Sequence, residues 1–343
     1  MNCILLLVIF LLVVYNATAS LEALKARAGA SKKPQPVVVL VTGSSTGIGK
    51  STSLEFAADP KFKVWATMRS ISSWTEPVKN NLVVAEMDVT SDQSVQELVD
   101  RIIAEDGRID VVVNNAGYGM AGCLEVVGIE EAKKVFDVNV WGVVRVLQAV
   151  LPHMRNQKSG HAIQISSTSG IRGIPCMEYY TGSKFALEGI TDSMRYSLAP
   201  FNISVTNINA GPVKTAFTDK FGVSNMGGRG TREVTHDDTG YLQAMTNRMI
   251  AGLNVRIQDG QESEDVANLI VNVASMRLKA KRLTDIPFNI GSNYDSQSLL
   301  AEVRKLPTGW GGIYNDILGT IPPLITPRTH LLLQLVPLKK NCN

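Results

Sequence analysis

The sequence predicts an α/β fold: a single domain built on a doubly wound parallel sheet that is flanked by helices. Two observations support this fold class. Short apolar runs alternate with longer helix-like stretches from residue 37 to residue 290, which is the rhythm of parallel strands and their crossover helices. The first run, VVVLV, is apolar without interruption, as in a strand buried on both faces. Because such crossovers are right-handed, the doubly wound sheet is the natural topology.

The elements follow in order along the chain. Strands are predicted at residues 37–41, 62–67, 82–87, 109–113, 162–165, 203–208 and 288–290, and helices at residues 51–58, 94–105, 130–151, 180–199 and 263–275. Sheets of this kind bind ligands at the carboxyl ends of their strands. The strand ends are therefore the place to search for a functional site.

Length and charge fit one such domain with an extension at each end. Of the 343 residues, we assign 1–20 to an N-terminal signal or membrane anchor, 21–36 to a linker, 37–295 to the α/β domain, and 296–343 to a C-terminal extension. The formal net charge is only +3, whereas nucleic-acid binding needs a dense basic face. We therefore predict no nucleic-acid partner.

Cysteine and histidine residues give no sign of a metal site. The four cysteines, Cys3, Cys123, Cys176 and Cys342, are scattered without CxxC spacing, so neither a disulfide framework nor a zinc site is predicted. The four histidines lie on separate segments without ligand spacing. We predict no metal and expect Cys123 and Cys176 to be unpaired.

A glycine-rich loop, TGSSTGIG at residues 42–49, follows the first strand and opens a helix. Gly43 permits a tight turn, Gly47 allows the backbone close to a pyrophosphate, and Gly49 lets the helix pack on the strand. The helix N-terminus then offers free N–H groups to phosphates. The loop residues predicted to bind a dinucleotide are Gly43, Ser45, Thr46, Gly47, Ile48 and Gly49.

The end of the second strand indicates which dinucleotide is bound. An acidic residue there would bind the ribose 2′-hydroxyl of NAD, but the strand ends in Met68-Arg69-Ser70, without a carboxylate before Glu76. The guanidinium of Arg69 suits a 2′-phosphate instead, and a solvated surface arginine is the alternative. The sequence thus favours NADP(H) over NAD(H).

Tyr180 and Lys184 are the candidate catalytic pair. They lie four residues apart in YTGSK, on one face of a predicted helix. A lysine cation beside the phenol is expected to lower its pKa, so that it exchanges a proton with an alcohol or carbonyl oxygen. Upstream, SSTS at residues 166–169 ends a strand and offers hydroxyls to a substrate oxygen; a serine-rich turn is the alternative.

Together these motifs resemble the short-chain dehydrogenase/reductases, a family with a Rossmann-type fold. The resemblance runs from residue 37 to about residue 291 and includes TGSSTGIG, Asp88, NNAG (114–117), DVNVWG, YTGSK and NAGPVKT, all in the family's order. It implies that Tyr180 is the acid/base, that Lys184 activates it and binds the ribose, and that Ser167 holds the substrate oxygen. It also implies a proton-relay water at Asn139, and cofactor contacts from Asp88, Asn115, Ala116, Gly117, Val213 and Thr215.

Within the family, VWATMR, LEVVG and KFALEGITDSMRYSLAPFNI look most like the estradiol 17β-dehydrogenase and photoreceptor retinol dehydrogenase branch. That branch implies NADP(H) and a lipophilic small-molecule substrate, a steroid or retinoid alcohol or ketone. The stretch 217–260, which shapes substrate pockets, does not match closely. A non-catalytic NADP(H)-binding scaffold or sensor on the same fold is the alternative, and the sequence leaves a homodimer open.

The N-terminus indicates contact with a membrane. Residues 4–15 form an apolar run of twelve, short for a span of about 20 residues. The basic Lys25, Arg27, Lys32 and Lys33 follow it, which would keep the downstream domain in the cytosol. We therefore expect attachment to the endoplasmic reticulum membrane with a cytosol-facing domain. Ala17-Thr18-Ala19 resembles a signal cleavage site, so a lumenal or secreted protein is the alternative.

Overall fold

A computed structural model describes residues 35–215, 217, 239–292 and 297. Contacts divide the chain into two units, Met1–Val37 and Val38–Asn343, and all that follows concerns the second unit together with the first strand. The apolar run 4–15 and the extension from residue 298 onward lie outside the described residues.

The core of the fold is a seven-stranded sheet whose described strand pairings are parallel. Its strands are β1 (Val37–Thr42), β2 (Phe62–Met68), β3 (Leu82–Glu86), β4 (Val111–Asn114), β5 (Gly160–Ser167), β6 (Ile203–Ala210) and β7 (Asn289–Gly291). Their order is β3-β2-β1-β4-β5-β6-β7. The chain therefore starts in the middle, builds one half and crosses back, which is the doubly wound topology predicted from the sequence.

Helices cover both faces of the sheet. They are α1 (Gly47–Ala58), α2 (Asp92–Asp106), α3 (Ile129–Phe136), α4 (Val143–Gln157), α5 (Glu178–Leu198), α6 (Thr239–Gln258) and α7 (Ser263–Lys279). α1 packs on α7, while α2 packs on α4, and α5 packs on β5, β6 and α3. Burial of β1 is nearly complete after Val37, as its uninterrupted apolar run predicts.

One continuous helical stretch replaces the predicted helix 130–151. α3 runs into a π-helical segment, Asp137–Gly142, and then into α4. The stretch Ile129–Gln157 is long and apolar enough to cross a membrane, with mean hydropathy 1.3, but half of its most apolar window is buried inside the domain. It is thus a core helix. Among the described residues no other helix is long and apolar enough to be a candidate span.

The expectation that Cys123 and Cys176 are unpaired thiols is wrong. Cys123 and Cys176, 53 residues apart in sequence, form a disulfide with their Cα atoms 4.1 Å apart. The fold brings together the segment after β4 and the segment before α5, and the N–H of Gly122 donates to the carbonyl of Cys176 at 2.7 Å. Because tertiary contacts create this proximity, no spacing rule in the sequence reports it.

Candidate active site

One cavity of about 710 Å³ lies at the carboxyl ends of the strands. Most residues that the sequence predicts for the site line it: Gly43, Ser45, Thr46, Gly47, Ile48, Arg69, Asp88, Asn115, Ala116, Gly117, Ser167, Tyr180, Lys184, Val213 and Thr215. Gly49 and Asn139 are the two predicted residues that do not. The loops after β1, β2, β4, β5 and β6 thus meet in a single cleft, as the topology requires.

The glycine loop lines the cleft with backbone because its glycines leave no room for side chains. Gly43 has a φ of +69°, and a Cβ there would lie 2.7 Å from the Cα of Ala116. Gly47, with a φ of +56°, lies under Thr215, whose Cγ2 would be 2.9 Å from a Cβ. Gly49 faces Asn115 rather than the cleft. The loop therefore exposes backbone and the start of α1, the arrangement that binds phosphates.

Asn115 ties the loop after β4 to the glycine loop. Its Nδ2 donates to the carbonyls of Thr42 at 2.9 Å and Gly43 at 3.0 Å. The backbone N–H groups of Asn115 and Ala116 both donate to the hydroxyl of Thr42, at 3.0 and 2.9 Å. Asn115 therefore shapes the cradle from behind, and its side-chain amide is already occupied by these two bonds.

Arg69 and Asp88 lie at the far end of the cleft. Arg69 follows β2, is exposed, and lines the cavity; among the described residues no partner of its guanidinium is found. Asp88 follows β3, and its Oδ1 accepts from the N–H of Thr90 at 2.9 Å and from its hydroxyl at 2.8 Å. The end of β2 thus offers a cation to a ligand.

Tyr180 and Ser167 form the reactive end of the cleft. Tyr180 is only 6% exposed, and burial raises the pKa of its phenol to about 12, while a hydrogen bond with Ser167 opposes that shift. The net shift is upward because burial outweighs the hydrogen bond, and the lowering of this pKa by Lys184 stays a prediction. The Nζ of Lys184 lies 5.7 Å from the centroid of the Tyr180 ring.

Lys184 lies one turn after Tyr180 on α5. Its Nζ donates to the carbonyl of Ile165 at 2.8 Å, which fixes the ammonium at the end of β5. Burial lowers the pKa of Lys184 to about 8, and the charge of Glu188 opposes the shift. The amine is therefore mostly protonated at neutral pH, and its remaining donors are free to meet a ligand hydroxyl.

Asn139 lies in the π-helical segment behind the cleft and is 1% exposed. Its Oδ1 accepts from the N–H of Tyr118 at 3.0 Å. Its Nδ2 donates to the carbonyl of Tyr118 at 3.0 Å and to the hydroxyl of Ser183 at 3.1 Å. The side chain thus connects the loop after β4 to α5. It does not face the cavity, and its role in a proton relay stays a prediction.

The substrate side of the cleft is an apolar wall that the sequence did not predict. It consists of Ile174, Met177, Phe217, Leu253 and Ile257. Two of these belong to α6, a helix absent from the sequence prediction. Across the wall the Phe217 ring lies 5.9 Å from the Tyr180 ring. An apolar wall beside a buried hydroxyl group suits a lipophilic alcohol or ketone.

Comparison with known proteins agrees with this geometry. The family model for short chain dehydrogenases matches residues 37–224. Retinol dehydrogenase 8 of Homo sapiens is 35% identical over 268 residues, which cover 74% of this chain and 83% of that protein. The 17-beta-hydroxysteroid dehydrogenase type 1 of Homo sapiens is 40% identical over 194 residues, covering 53% of this chain and 58% of that protein.

The fold has close structural neighbours as well. A short chain dehydrogenase/reductase from Burkholderia phymatum, solved in complex with NAD, superposes with a TM-score of 0.64 at 20% identity and covers 87% of this chain and all of the other. At that identity the match shows a shared fold. The sequence motifs, the doubly wound sheet and the family match together show that the chain belongs to the short-chain dehydrogenase/reductase family.

Proposed function

We propose that the protein is an NADP(H)-dependent oxidoreductase that interconverts an alcohol and a ketone or aldehyde on a lipophilic substrate, with Tyr180 as the acid/base. One observation carries the proposal. A single cavity is lined by a phosphate-binding loop, by Ser167, Tyr180 and Lys184, and by an apolar wall. Binding, proton transfer and recognition of an apolar molecule therefore occur in one place.

The residues of the chain divide the work of the reaction. The nicotinamide group, when bound, supplies or takes up the hydride. In the reducing direction Tyr180 donates its proton to the carbonyl oxygen, a role that suits a phenol kept neutral by burial. The hydroxyl of Ser167 orients that oxygen, and the ammonium of Lys184 stabilises the phenolate that proton donation leaves behind.

The preference for NADP(H) rests on Arg69. It is the cation at the end of β2 that faces the cleft, and β2 ends without a carboxylate that could bind a free 2′-hydroxyl. A planar guanidinium matches a phosphate through paired hydrogen bonds. Thr46 lines the same cavity, and its hydroxyl is a second donor for the phosphate.

The substrate class follows from the apolar wall and from the relatives. A cleft lined by Met177, Phe217 and Leu253 favours a ligand that buries apolar surface, at roughly 25 cal/mol per Å² buried. The relatives are named for retinol and for hydroxysteroids. A steroid, a retinoid or a molecule of similar shape is therefore the substrate that we propose.

Two measurements test the proposal. Purified protein is screened for NADPH or NADP⁺ consumption with steroid, retinoid and fatty aldehyde or alcohol pairs. The Tyr180→Phe variant is then compared on the best pair. It should retain cofactor affinity and lose about 10²–10⁴-fold in kcat, because only the exchangeable proton is removed. Turnover within twofold of the parent protein would refute the role of Tyr180, whereas cofactor binding without turnover of any pair by the parent protein would favour the scaffold alternative.

We also propose attachment to the endoplasmic reticulum membrane through residues 4–15, with the catalytic domain facing the cytosol. The disulfide between Cys123 and Cys176 favours the second candidate, a domain in the lumen, because disulfides persist mainly in oxidising compartments. Protease treatment of intact microsomes decides between them. Digestion of the domain before detergent is added supports the cytosolic placement, and protection supports the lumenal one.

A further inference from the structure

Three residues on one face of α5 point to a role beyond the catalytic pair. Tyr180, Lys184 and Glu188 are spaced by four residues each, so they lie on successive turns of one helix face. The first two line the cavity and are buried, whereas Glu188 lies one turn further along the helix and is partly buried. A carboxylate one turn from a buried ammonium is close enough to act on its charge.

The carboxylate of Glu188 is held by two asparagines of β6. Its Oε2 accepts from the Nδ2 of Asn207 and its Oε1 from the Nδ2 of Asn209, both at 2.6 Å. The two asparagines are spaced by two residues, on one face of the strand, and each is 0% exposed. Burial raises the pKa of Glu188, and the hydrogen bonds from both asparagines oppose that shift because they stabilise the ionised carboxylate.

This contact joins the two halves of the reaction site. α5 carries the proton donor, and β6 ends at Ala210, directly before Gly211, Pro212 and Val213, which line the nicotinamide end of the cleft. Asn209 also accepts the N–H of Ser292 through its backbone carbonyl at 3.2 Å. A shift of Glu188 would therefore move the catalytic helix relative to the segment predicted to bind the nicotinamide.

We propose that Glu188 is a positioning residue: with Asn207 and Asn209 it locks α5 to the end of β6 and keeps Lys184 charged. The proposal rests on the proposed function of Lys184.

Among the charged groups near α5, Lys184 is the cation on which the charge of Glu188 acts, because the other charged groups either have their own partners or lie elsewhere. β6 and the turn Thr168–Gly170 carry no titratable side chain, and His161 of β5 bonds to Thr206 at 3.0 Å. On α3, Glu130 pairs with Lys133 and Glu131 with Lys134, and Asp137 of the π segment pairs with Arg145. Burial lowers the pKa of Lys184 to about 8 while Glu188 raises it. Removing the carboxylate charge should therefore lower that pKa further.

The test measures Lys184 directly in protein without cofactor. Competitive labelling with acetic anhydride between pH 6 and 11, read by mass spectrometry, gives the pKa of each lysine from the pH dependence of its reactivity. The Glu188→Gln variant keeps the size of the side chain and removes its charge. Glu97→Gln, on the exposed surface of α2, is the matched control.

We expect the pKa of Lys184 to fall by about one unit in Glu188→Gln and to stay unchanged in Glu97→Gln. The alkaline limb of kcat/KM should move to lower pH by the same amount. A folded Glu188→Gln protein with the parent labelling curve at Lys184 would overturn the charge role. This readout needs no turnover, so it separates failure of this inference from failure of the proposed function.

A second variant tests the link to β6 and guards against misfolding of the first. Glu188→Asp keeps the charge but shortens the side chain by one methylene, so that it cannot reach both asparagines. We expect kcat to fall about tenfold or more, because small displacements of reacting groups are costly, while Lys184 stays close to its parent pKa. Parent kcat and KM in Glu188→Asp would overturn the positioning role.

Discussion

Replacement of Gly49 by alanine is predicted to damage the glycine loop in a way that can be calculated from the structure. A Cβ at Gly49 would lie within 2.5 Å of both the Nδ2 of Asn115 and the carbonyl oxygen of Gly43. Those two atoms also bond each other at 3.0 Å. Relief of the overlap must displace them by about 1 Å, which costs about 1–3 kcal/mol for overpacking and about 1 kcal/mol for the strained hydrogen bond.

The expected loss in free energy of unfolding is therefore about 2–4 kcal/mol. At about 2–4 °C per kcal/mol for a domain of this size, Tm should fall by roughly 4–16 °C. The KM for the dinucleotide should rise as well, because the displaced atoms form the back of the phosphate cradle. Differential scanning calorimetry and cofactor titration measure the two effects.

Gly189→Ala is the matched control. Gly189 also lies inside a helix, α5, but a Cβ there would meet nothing within 4 Å. Alanine should be neutral or stabilising by about 0.5–1 kcal/mol, because it has the higher helix propensity. If both variants keep the parent Tm and cofactor KM, the steric reasoning about the loop is refuted.

Three further predictions follow from single features. Met68→Asp should shift the preference from NADPH toward NADH, since a carboxylate beside Arg69 repels a 2′-phosphate and accepts a hydrogen bond from a free hydroxyl. An unchanged ratio of the kcat/KM values for the two cofactors, measured by steady-state kinetics, would contradict this prediction. Burial lowers the pKa of His161 to about 3, so between pH 6.5 and pH 3 the unfolded chain binds a proton at this side chain and the folded chain does not. The free energy of unfolding should therefore fall as pH drops from about 6.5 toward 3. A Tm–pH profile of His161→Gln as steep as that of the parent protein would contradict this prediction. Cys176→Ser removes the cross-link that closes a loop of 53 residues, and it should lower the free energy of unfolding by about 4 kcal/mol, as loop entropy predicts. Peptide mapping without reductant that finds both thiols free in the parent protein would contradict this prediction.

The sheet could be predicted because its central strands are buried on both faces. Runs such as VVVLV in β1 and ISVTNI in β6 are distinct from their helical neighbours, and the structure places each predicted strand within a residue or two of its expected bounds. α6 was missed for the opposite reason. Its sequence includes Gly240 and Gly252, and its position over the cleft depends on contacts such as Cys123 with Thr246, which periodicity does not report.

For the candidate site, the sequence indicates which residues meet but not their environments. Local motifs sufficed for the glycine loop and for Tyr180 with Lys184, because fixed spacing on a loop or helix determines position. The direction of the Tyr180 pKa shift depends on burial, which only the packed structure supplies. The same holds for Glu188, an ordinary helix residue in sequence until β6 presents Asn207 and Asn209 to it.

The π-helical segment Asp137–Gly142 has a consequence for the phase of the long core helix. Each residue of an α-helix advances the chain by about 100° of rotation, and a π turn holds one residue more than an α turn. Deleting Val138 would therefore let an α turn replace the π turn, with α3 and α4 kept in nearly the same angular relation. Ala132 and Val135, now buried, would stay on the core side. The wide turn thus holds one extra residue without changing the angular register between the two halves of the helix, whereas a one-residue deletion in a helix without such a turn rotates one half by about 100°.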